Sequence, residues 1–277
     1  MAASSEPSVG PAFDAVVLAL RGAGCVFAEE EATLLLEEAK DQATLRGMLT
    51  RRVAGEPLEQ VLGWAEFCGL RLAVAPGVFV PRRRTEALVG AALDLLMPEP
   101  ARPVVVDLCC GTGAIGAAIR AERPGVELHA ADVDPVAVGC ARRNLPGAHV
   151  HQGDLYDALP AGLRRRVDLV VVNAPYVPTA RIATMPPEAR DHEHRVALDG
   201  GRDGLDVHRR LAGALAGWLA PAGRLVVETS EDQAAHTASA FARAGFGTEV
   251  RSLPDVTLVV VGGDSSRIST YDEALAE

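Results

Sequence analysis

The sequence contains 277 residues, of which 48% are hydrophobic and 23% are charged, and its formal net charge is −10. This length accommodates one large domain and a smaller one, while the acidic balance argues against a general nucleic-acid coat, because phosphate binding depends on clustered Lys and Arg. No apolar run reaches the ~18–20 residues of a membrane span, and five cysteines without zinc-type spacing indicate reduced thiols, so we expect a cytoplasmic protein without a metal.

Helical periodicity dominates the first part of the chain. It predicts three helices, at residues 11–22, 28–40 and 41–54. Three leucines at 34–36 beside two glutamates fit an amphipathic helix whose apolar stripe meets its neighbours. We therefore expect residues 1–62 to form a small helical domain.

The pattern then changes to that of a short β-hairpin. Alternating apolar residues with Gly and Pro punctuation predict the hairpin at 64–80, and helical periodicity resumes at 81–97. We expect residues 63–84 to link the helical domain to a larger domain at 85–263. The polar end of the chain, residues 264–277, is predicted to be a flexible tail.

Strands and helices alternate in the larger domain, which predicts parallel strands joined by crossover helices. Only three residues separate the last two strands, and so short a connection requires an antiparallel pair. The predicted sheet is therefore mostly parallel and doubly wound, with an antiparallel edge. The predicted strands are 104–108, 127–131, 149–152, 167–172, 224–228, 247–252 and 256–261, and the predicted helices are 113–122, 135–144, 206–219 and 232–244.

The ends of the first three of these strands carry residues suited to a nucleotide. Gly111 and Gly113 follow the first strand, where glycine permits a tight turn and a close approach to a ligand. Asp132 ends the second strand and can accept hydrogen bonds from ribose hydroxyls, whereas Asp134 before a proline is the better helix cap. Asp154 and its neighbour Leu155 suit an adenine amino group and ring face.

Two alternatives compete with this interpretation of the glycine turn. Nicotinamide dinucleotides use a similar turn, but Cys109 and Cys110 precede Gly111, so the strict G-x-G-x-x-G spacing is absent. The turn could also serve only for packing. Because the antiparallel final pair favours a methyltransferase sheet over a typical dehydrogenase, we expect S-adenosyl-L-methionine to be the cofactor.

The segment Asn173-Ala174-Pro175-Tyr176, here called the clamp, directly follows the strand predicted at 167–172. A primary amide nitrogen is a poor nucleophile, and the Asn173 side-chain oxygen with the Ala174 carbonyl could orient it and stabilise its developing positive charge. Tyr176 can pack against a planar group, and Pro175 fixes its own φ. A sulfonium donor is intrinsically reactive, so no metal is required. The alternative is an ordinary turn.

With these residues the chain resembles the protein-(glutamine-N5) methyltransferases that modify the Gly-Gly-Gln motif of peptide chain release factors. The likeness includes the sequences RRVAGEPL at 51–58, GWAEF at 63–67, VPRRRTE at 80–86 and ALDGGRDGL at 197–205, and it covers about residues 50–262. It implies a class I S-adenosylmethionine-dependent methyltransferase fold, which is Rossmann-like with a mostly parallel seven-stranded sheet and an antiparallel edge. It also implies that the N-terminal helical domain docks the protein substrate.

The resemblance also implies roles for individual residues. Gly111, Thr112 and Gly113 flank the methionine part of the cofactor, Asp132 holds the ribose and Leu155 lies near adenine. Asn173 contacts both cofactor and glutamine. The complete predicted cofactor site is Asp107, Gly111, Thr112, Gly113, Asp132, Asp154, Leu155 and Asn173, and the predicted catalytic residues are Asn173, Ala174, Pro175 and Tyr176.

The sequence departs from the family pattern at two positions. Ala174 replaces the first proline of the usual N-P-P-Y, and Cys109 stands where glycine is usual. The first departure leaves open a divergent, actinobacterial-type branch with a different glutamine-bearing target. Adenine-N6 methylation of nucleic acid is the runner-up activity, which the acidic charge disfavours. A non-catalytic partner of a translation factor is the other alternative. The Arg triplets at 82–84 and 164–166 are interpreted as solvated residues.

Overall fold

The computed structural model describes residues 11–96 and 102–262. The tail predicted at 264–277 lies outside the described residues. No helix within the described ranges is long and apolar enough to cross a bilayer.

The N-terminal helices form a unit with a core of its own. Its buried side chains include Leu20 and Leu35, which are fully inaccessible to solvent. The third helix begins where predicted because the Asp41 carboxylate accepts a 2.7 Å hydrogen bond from the Thr44 backbone N–H, which caps it. The helices are α1 Pro11–Gly22, α2 Ala28–Glu38, α3 Gln42–Val53 and the unpredicted α4 Leu58–Leu62.

The hairpin is shorter than predicted. Its strands are β1 Trp64–Phe67 and β2 Leu70–Ala73, which pair antiparallel. The prediction that residues up to 80 belong to it is wrong, because Val78 and Val80 are buried apart from the hairpin ladder, each 1% exposed. The helix predicted at 81–97 is also shorter: a 3₁₀ turn at Arg83–Thr85 precedes α5, Glu86–Leu95.

The mostly parallel seven-stranded sheet with an antiparallel edge is confirmed. Its strand order is β5-β4-β3-β6-β7-β9-β8, in which β9 is antiparallel to both of its neighbours and the remaining pairs are parallel. The strands are β3 Val104–Leu108, β4 Glu127–Asp132, β5 His149–Gln152, β6 Val167–Val172, β7 Leu219–Thr229, β8 Gly247–Leu253 and β9 Val256–Gly262.

Helices and loops cover both faces of this sheet, and the valine-rich strands contribute to a hydrophobic cluster on each face. The helix predicted at 206–219 ends early, because a 3₁₀ turn at Leu215–Gly217 precedes β7. The helices are α6 Ala114–Glu122, α7 Pro135–Asn144, the unpredicted α8 Pro187–His192, α9 Asp206–Ala214 and α10 Glu231–Arg243.

Strands β3 and β6 lie side by side at the point where the strand order reverses. From β3 the chain continues to β4 and β5 on one side, and it returns to β6 on the other. Ligands of open α/β sheets bind at such a switch point, outside the carboxyl ends of the strands. The glycine turn after β3 and the clamp after β6 therefore meet at the same edge of the sheet.

Candidate functional site

A cavity of about 980 Å³ opens at the carboxyl ends of β3, β4 and β6. Its volume lies at the upper end of the range typical of small-molecule sites. Among the predicted site residues, its walls contain Gly111, Thr112, Asp132, Asp154, Leu155, Asn173, Ala174, Pro175 and Tyr176. Asp107 and Gly113 are not part of its lining.

Two glycines of the loop after β3 have different surroundings. Both adopt positive φ, +55° at Gly111 and +77° at Gly113, which favours glycine over other residues. A Cβ added to Gly113 would lie 2.8 Å from Leu145 Cδ1, whereas one added to Gly111 would meet nothing within 4 Å. Gly113 thus permits packing of the loop against the end of α7, and Gly111 leaves space on the cavity side. Cys109 also has positive φ, +55°, despite its side chain.

The Asp107 carboxylate braces this loop from inside the protein. It is fully buried, and its Oδ2 accepts a 2.9 Å hydrogen bond from the Gly116 backbone N–H. Burial raises the pKa of the Asp107 carboxyl to about 7. Its contact is with the first turn of α6, so its position supports the loop and does not reach the cavity.

The Asp132 carboxylate joins two loops at the cavity wall. Its Oδ2 accepts a hydrogen bond from the Gly111 N–H at 2.8 Å, and its Oδ1 accepts one from the Asp134 N–H at 2.9 Å. Burial raises the pKa of this carboxyl. Each oxygen has a second lone pair, so Asp132 can accept two further hydrogen bonds from a ligand. Asp134 caps α7 through Val136 N–H at 2.8 Å, as predicted.

The third strand end contributes Asp154 and Leu155 to the wall. An ion pair of 2.5 Å joins Asp154 Oδ2 to the guanidinium of Arg210, and both side chains are half-exposed. Asp154 Oδ1 is the carboxylate oxygen outside this ion pair. Arg210, on α9, also lines the cavity and was missed, because a helical arginine gives no local signal of its function.

A hydrogen-bond network fixes both ends of the clamp. Asn173 Nδ2 donates to Thr85 Oγ1 at 3.3 Å, and Thr85 Oγ1 donates to Glu228 Oε2 at 2.7 Å. The Tyr176 hydroxyl donates to Glu228 Oε1 at 3.3 Å and accepts from Arg84 at 3.2 Å. Burial, followed by the Glu228 carboxylate, raises the pKa of Tyr176, so its hydroxyl keeps its proton. The sequence reasoning missed Thr85, Glu228 and Arg84 as site residues.

Backbone packing holds the rest of the clamp. A Cβ added to Gly200 would lie 2.7 Å from Tyr176 Cα, and one added to Gly204 would lie 2.2 Å from the Tyr176 carbonyl oxygen. Gln233 Nε2 donates to that same carbonyl at 3.0 Å. This close approach gives a physical reason for Gly200 and Gly204, since only residues without a side chain fit against Tyr176 there.

The interpretation of the Arg triplets as solvated residues is wrong at Arg82, which is only partly exposed, whereas Arg84 and Arg164 are exposed but each makes a side-chain contact. Arg82 forms a 2.6 Å ion pair with the buried Glu193, and Arg84 belongs to the clamp network. In the second triplet, Arg164 lies over the Trp218 ring at 4.7 Å. Two arginines of the first triplet therefore form part of the site.

The chain is similar to methyltransferases in sequence and in fold. The family model of the methyltransferase small domain matches residues 70–185. A solved methyltransferase from Pyrococcus furiosus superposes with a TM-score of 0.51 at 13% identity, over 78% of this chain and 98% of that one. Together with the sheet order, these similarities confirm the predicted class I methyltransferase fold.

Several relatives have a higher sequence identity to this chain than that solved structure. A release factor glutamine methyltransferase of Geobacter sulfurreducens is 39% identical over 75% of this chain and 72% of its own length. One of Mycolicibacterium smegmatis is 36% identical over 89% of this chain and 87% of its own. A 4-amino-L-phenylalanine/4-methylamino-L-phenylalanine methyltransferase of Streptomyces pristinaespiralis is 37% identical over 74% of this chain and 71% of its own length.

Proposed function

We infer that this chain, which belongs to the release factor glutamine methyltransferase family, transfers a methyl group from S-adenosyl-L-methionine to the side-chain nitrogen of a protein glutamine. The observation that carries this inference is the orientation of Asn173. Its Nδ2 is bound to Thr85. Its Oδ1 therefore remains to accept a hydrogen bond at the cavity, beside the loop after β3.

The residues around the cavity fit the cofactor. Asp132 keeps free lone pairs suited to two ribose hydroxyl donors, and Asp154 offers a second acceptor for an amino group. The open space beside Gly111 allows the backbone to approach a ligand closely. When bound, S-adenosyl-L-methionine supplies an electrophilic methyl group on its sulfonium sulfur. We assign to Asp107 and Gly113 roles in supporting the loop after β3.

The clamp would act on the glutamine by positioning it. Asn173 Oδ1 and the Ala174 carbonyl oxygen would accept the two protons of the substrate NH₂ group, which fixes its direction and stabilises positive charge on nitrogen. Tyr176 would pack against the planar amide. Positioning of this kind can contribute about 7–11 kcal/mol in favourable cases.

The helical domain is suited to dock the protein that carries this glutamine. Buried Arg52 of α3 pairs with Glu31 of α2 at 2.6 Å and with Glu188 of α8 at 2.6 Å. Gln60 Nε2 donates to the carbonyls of Val78 and His192. Since Glu188 lines the cavity, these contacts connect the helical domain to the cavity wall and support one continuous docking surface.

A bacterial peptide chain release factor is the proposed partner, with the glutamine of its Gly-Gly-Gln motif as acceptor. The test incubates the purified full chain with methyl-labelled S-adenosyl-L-methionine and such a release factor, and peptide mass spectrometry locates the label. A release factor with this glutamine replaced by asparagine is the matched control. A label on the glutamine of the native factor alone is expected. Absence of label from it rejects this substrate.

One observation favours a second candidate, the methylation of a small aromatic amine. A relative of the same degree of identity is named as a methyltransferase of 4-amino-L-phenylalanine, and Ala174 departs from the usual clamp. An aromatic amine presents the same NH₂ donor to Asn173. Including 4-amino-L-phenylalanine as a parallel acceptor distinguishes the two, since only this candidate predicts its methylation. Adenine-N6 methylation remains disfavoured by the net charge of −10.

A further inference from the structure

The side-chain amide of Asn173 has an acceptor end and a donor end, and the two ends are not equivalent for binding. An NH₂ group of a substrate needs the acceptor Oδ1, whereas a carboxylate or carbonyl would need the donor Nδ2. The chemistry that the site recognises therefore depends on which end faces the cavity. That choice is made by the groups packed behind the amide.

The orientation of the Asn173 side-chain amide depends on Glu228. It lies in β7, is fully buried, and is surrounded by three donors. Its Oε2 receives the Thr85 hydroxyl, and its Oε1 receives the Tyr176 hydroxyl at 3.3 Å and Arg84 Nε at 3.4 Å. A carboxylate in such surroundings is an acceptor at both oxygens, so the single hydroxyl proton of Thr85 must point towards it.

Thr85 transmits this direction to the clamp. It is 3% exposed, so water does not compete for its hydroxyl. With its proton given to Glu228, its oxygen presents only lone pairs to Asn173, and Nδ2 meets them at 3.3 Å. The reversed amide would place Oδ1 against those lone pairs, so that two acceptors would face each other and the buried Thr85 oxygen would lose its donor.

We propose that Thr85 and Glu228 are positioning residues that hold Asn173 Oδ1 towards the cavity and so make the site selective for an amide NH₂ over a carboxylate. The proposal rests on the proposed function and extends it to specificity. A glutamine side chain offers the donor that Oδ1 requires. A glutamate in its place offers only acceptors and would be repelled by the same oxygen.

The experiment compares wild type with Thr85→Val, which removes the hydroxyl but keeps the shape, and with Thr85→Ser, which retains the hydroxyl. Hydrogen exchange of the Asn173 side-chain NH₂ is followed by ¹⁵N NMR, with the resonance assigned by its loss in Asn173→Asp. Turnover on the release factor, inhibition by its Gln→Glu variant, cofactor affinity by calorimetry and thermal unfolding are measured in parallel.

In wild type and in Thr85→Ser the Asn173 NH₂ should exchange slowly. In Thr85→Val it should exchange rapidly, kcat should fall about tenfold, and the preference for glutamine over glutamate should fall by about the same factor, as expected for loss of one hydrogen bond. Cofactor affinity should fall by less than kcat does. Because slow exchange is predicted for wild type itself, rapid exchange there overturns the proposal even if Thr85→Val does not fold.

Other outcomes are equally decisive. An equal loss of turnover in Thr85→Ser and Thr85→Val would assign Thr85 to packing and overturn the proposal. A loss of turnover that only follows a loss of stability and cofactor binding would do the same. If wild type modifies no glutamine but the Asn173 exchange still depends on the Thr85 hydroxyl, the orientation stands and the proposed substrate fails.

Discussion

The two glycines of the loop after β3 offer a direct test of how the cavity wall is built. The matched changes are Gly111→Ala and Gly113→Ala, which add the same methyl group two residues apart. Both positions have positive φ, so each substitution carries a backbone cost of about 1–2 kcal/mol. They differ in what the new methyl group meets.

At Gly113 the added Cβ lies 2.8 Å from Leu145 Cδ1 and 3.2 Å from the Ala141 Cβ. Overpacking of this kind typically costs about 1–3 kcal/mol, so the free energy of unfolding should fall by about 2–5 kcal/mol in total. At Gly111 nothing lies within 4 Å, so only the backbone cost applies. The methyl group of Gly111→Ala instead enters the space at the cavity wall.

Urea denaturation measures the two stability losses, and calorimetry with S-adenosyl-L-methionine measures affinity below the unfolding transition. We expect Gly113→Ala to lose more stability but to bind with the wild-type dissociation constant while folded. Gly111→Ala should remain more stable and bind more weakly. Weaker binding by a fully folded Gly113→Ala, with normal binding by Gly111→Ala, would refute the division of roles drawn from the loop geometry.

Three further predictions concern the clamp, the buried carboxyl and the helical domain. Asn173→Ala should lower kcat about 10²-fold or more in a methyl-transfer assay, as for loss of other preorganised polar groups, while thermal unfolding changes little; wild-type turnover would remove Asn173 from the mechanism. The folded pKa of Asp107 is about 7, above its ordinary 3.8, so the folded state binds the extra proton and its stability should fall as pH rises from about 4 to about 7. Asp107→Asn keeps an acceptor for the Gly116 N–H, so its stability relative to wild type should rise across that window in denaturation curves, and a pH-independent difference would contradict this. Arg52→Met leaves Glu31 buried without its partner and should cost about 3–5 kcal/mol; where the variant folds, KM for the protein substrate should rise more than KM for the cofactor, and equal effects on both would speak against docking by the helical domain.

The sequence predicted the sheet well because its signals are local. Runs of valine define β3, which follows Pro103, and β6, which precedes the clamp, and a proline after Asp134 marks the start of α7. The missed helices α4 and α8 contain five and six residues, too few for an apolar period to repeat. Because these strands were predicted correctly, the cavity residues at their ends were predicted as well.

What the sequence could not supply is contact between distant positions. Thr85 and Glu228 are separated by 143 residues, and neither has a local pattern that marks it as part of the clamp. The glycine pattern likewise could not distinguish Gly111, beside open space, from Gly113, beside Leu145, because Leu145 is distant in sequence and both glycines belong to the same short loop. Residues that face the cavity were thus easier to predict than those that orient them.

This distinction bears on the departure at Ala174. A proline there would stiffen the clamp chiefly by restricting the unfolded chain, an effect worth about 0.4–1 kcal/mol. In the folded chain other contacts already restrict the segment: Ala174 is 2% exposed, Gly200 packs against Tyr176, and Gln233 binds the Tyr176 carbonyl. Asn173 and Tyr176 are both tied to Glu228, directly or through Thr85. Because tertiary contacts define the clamp at both ends, loss of the proline lowers stability slightly and leaves the direction of the Asn173 acceptor unchanged.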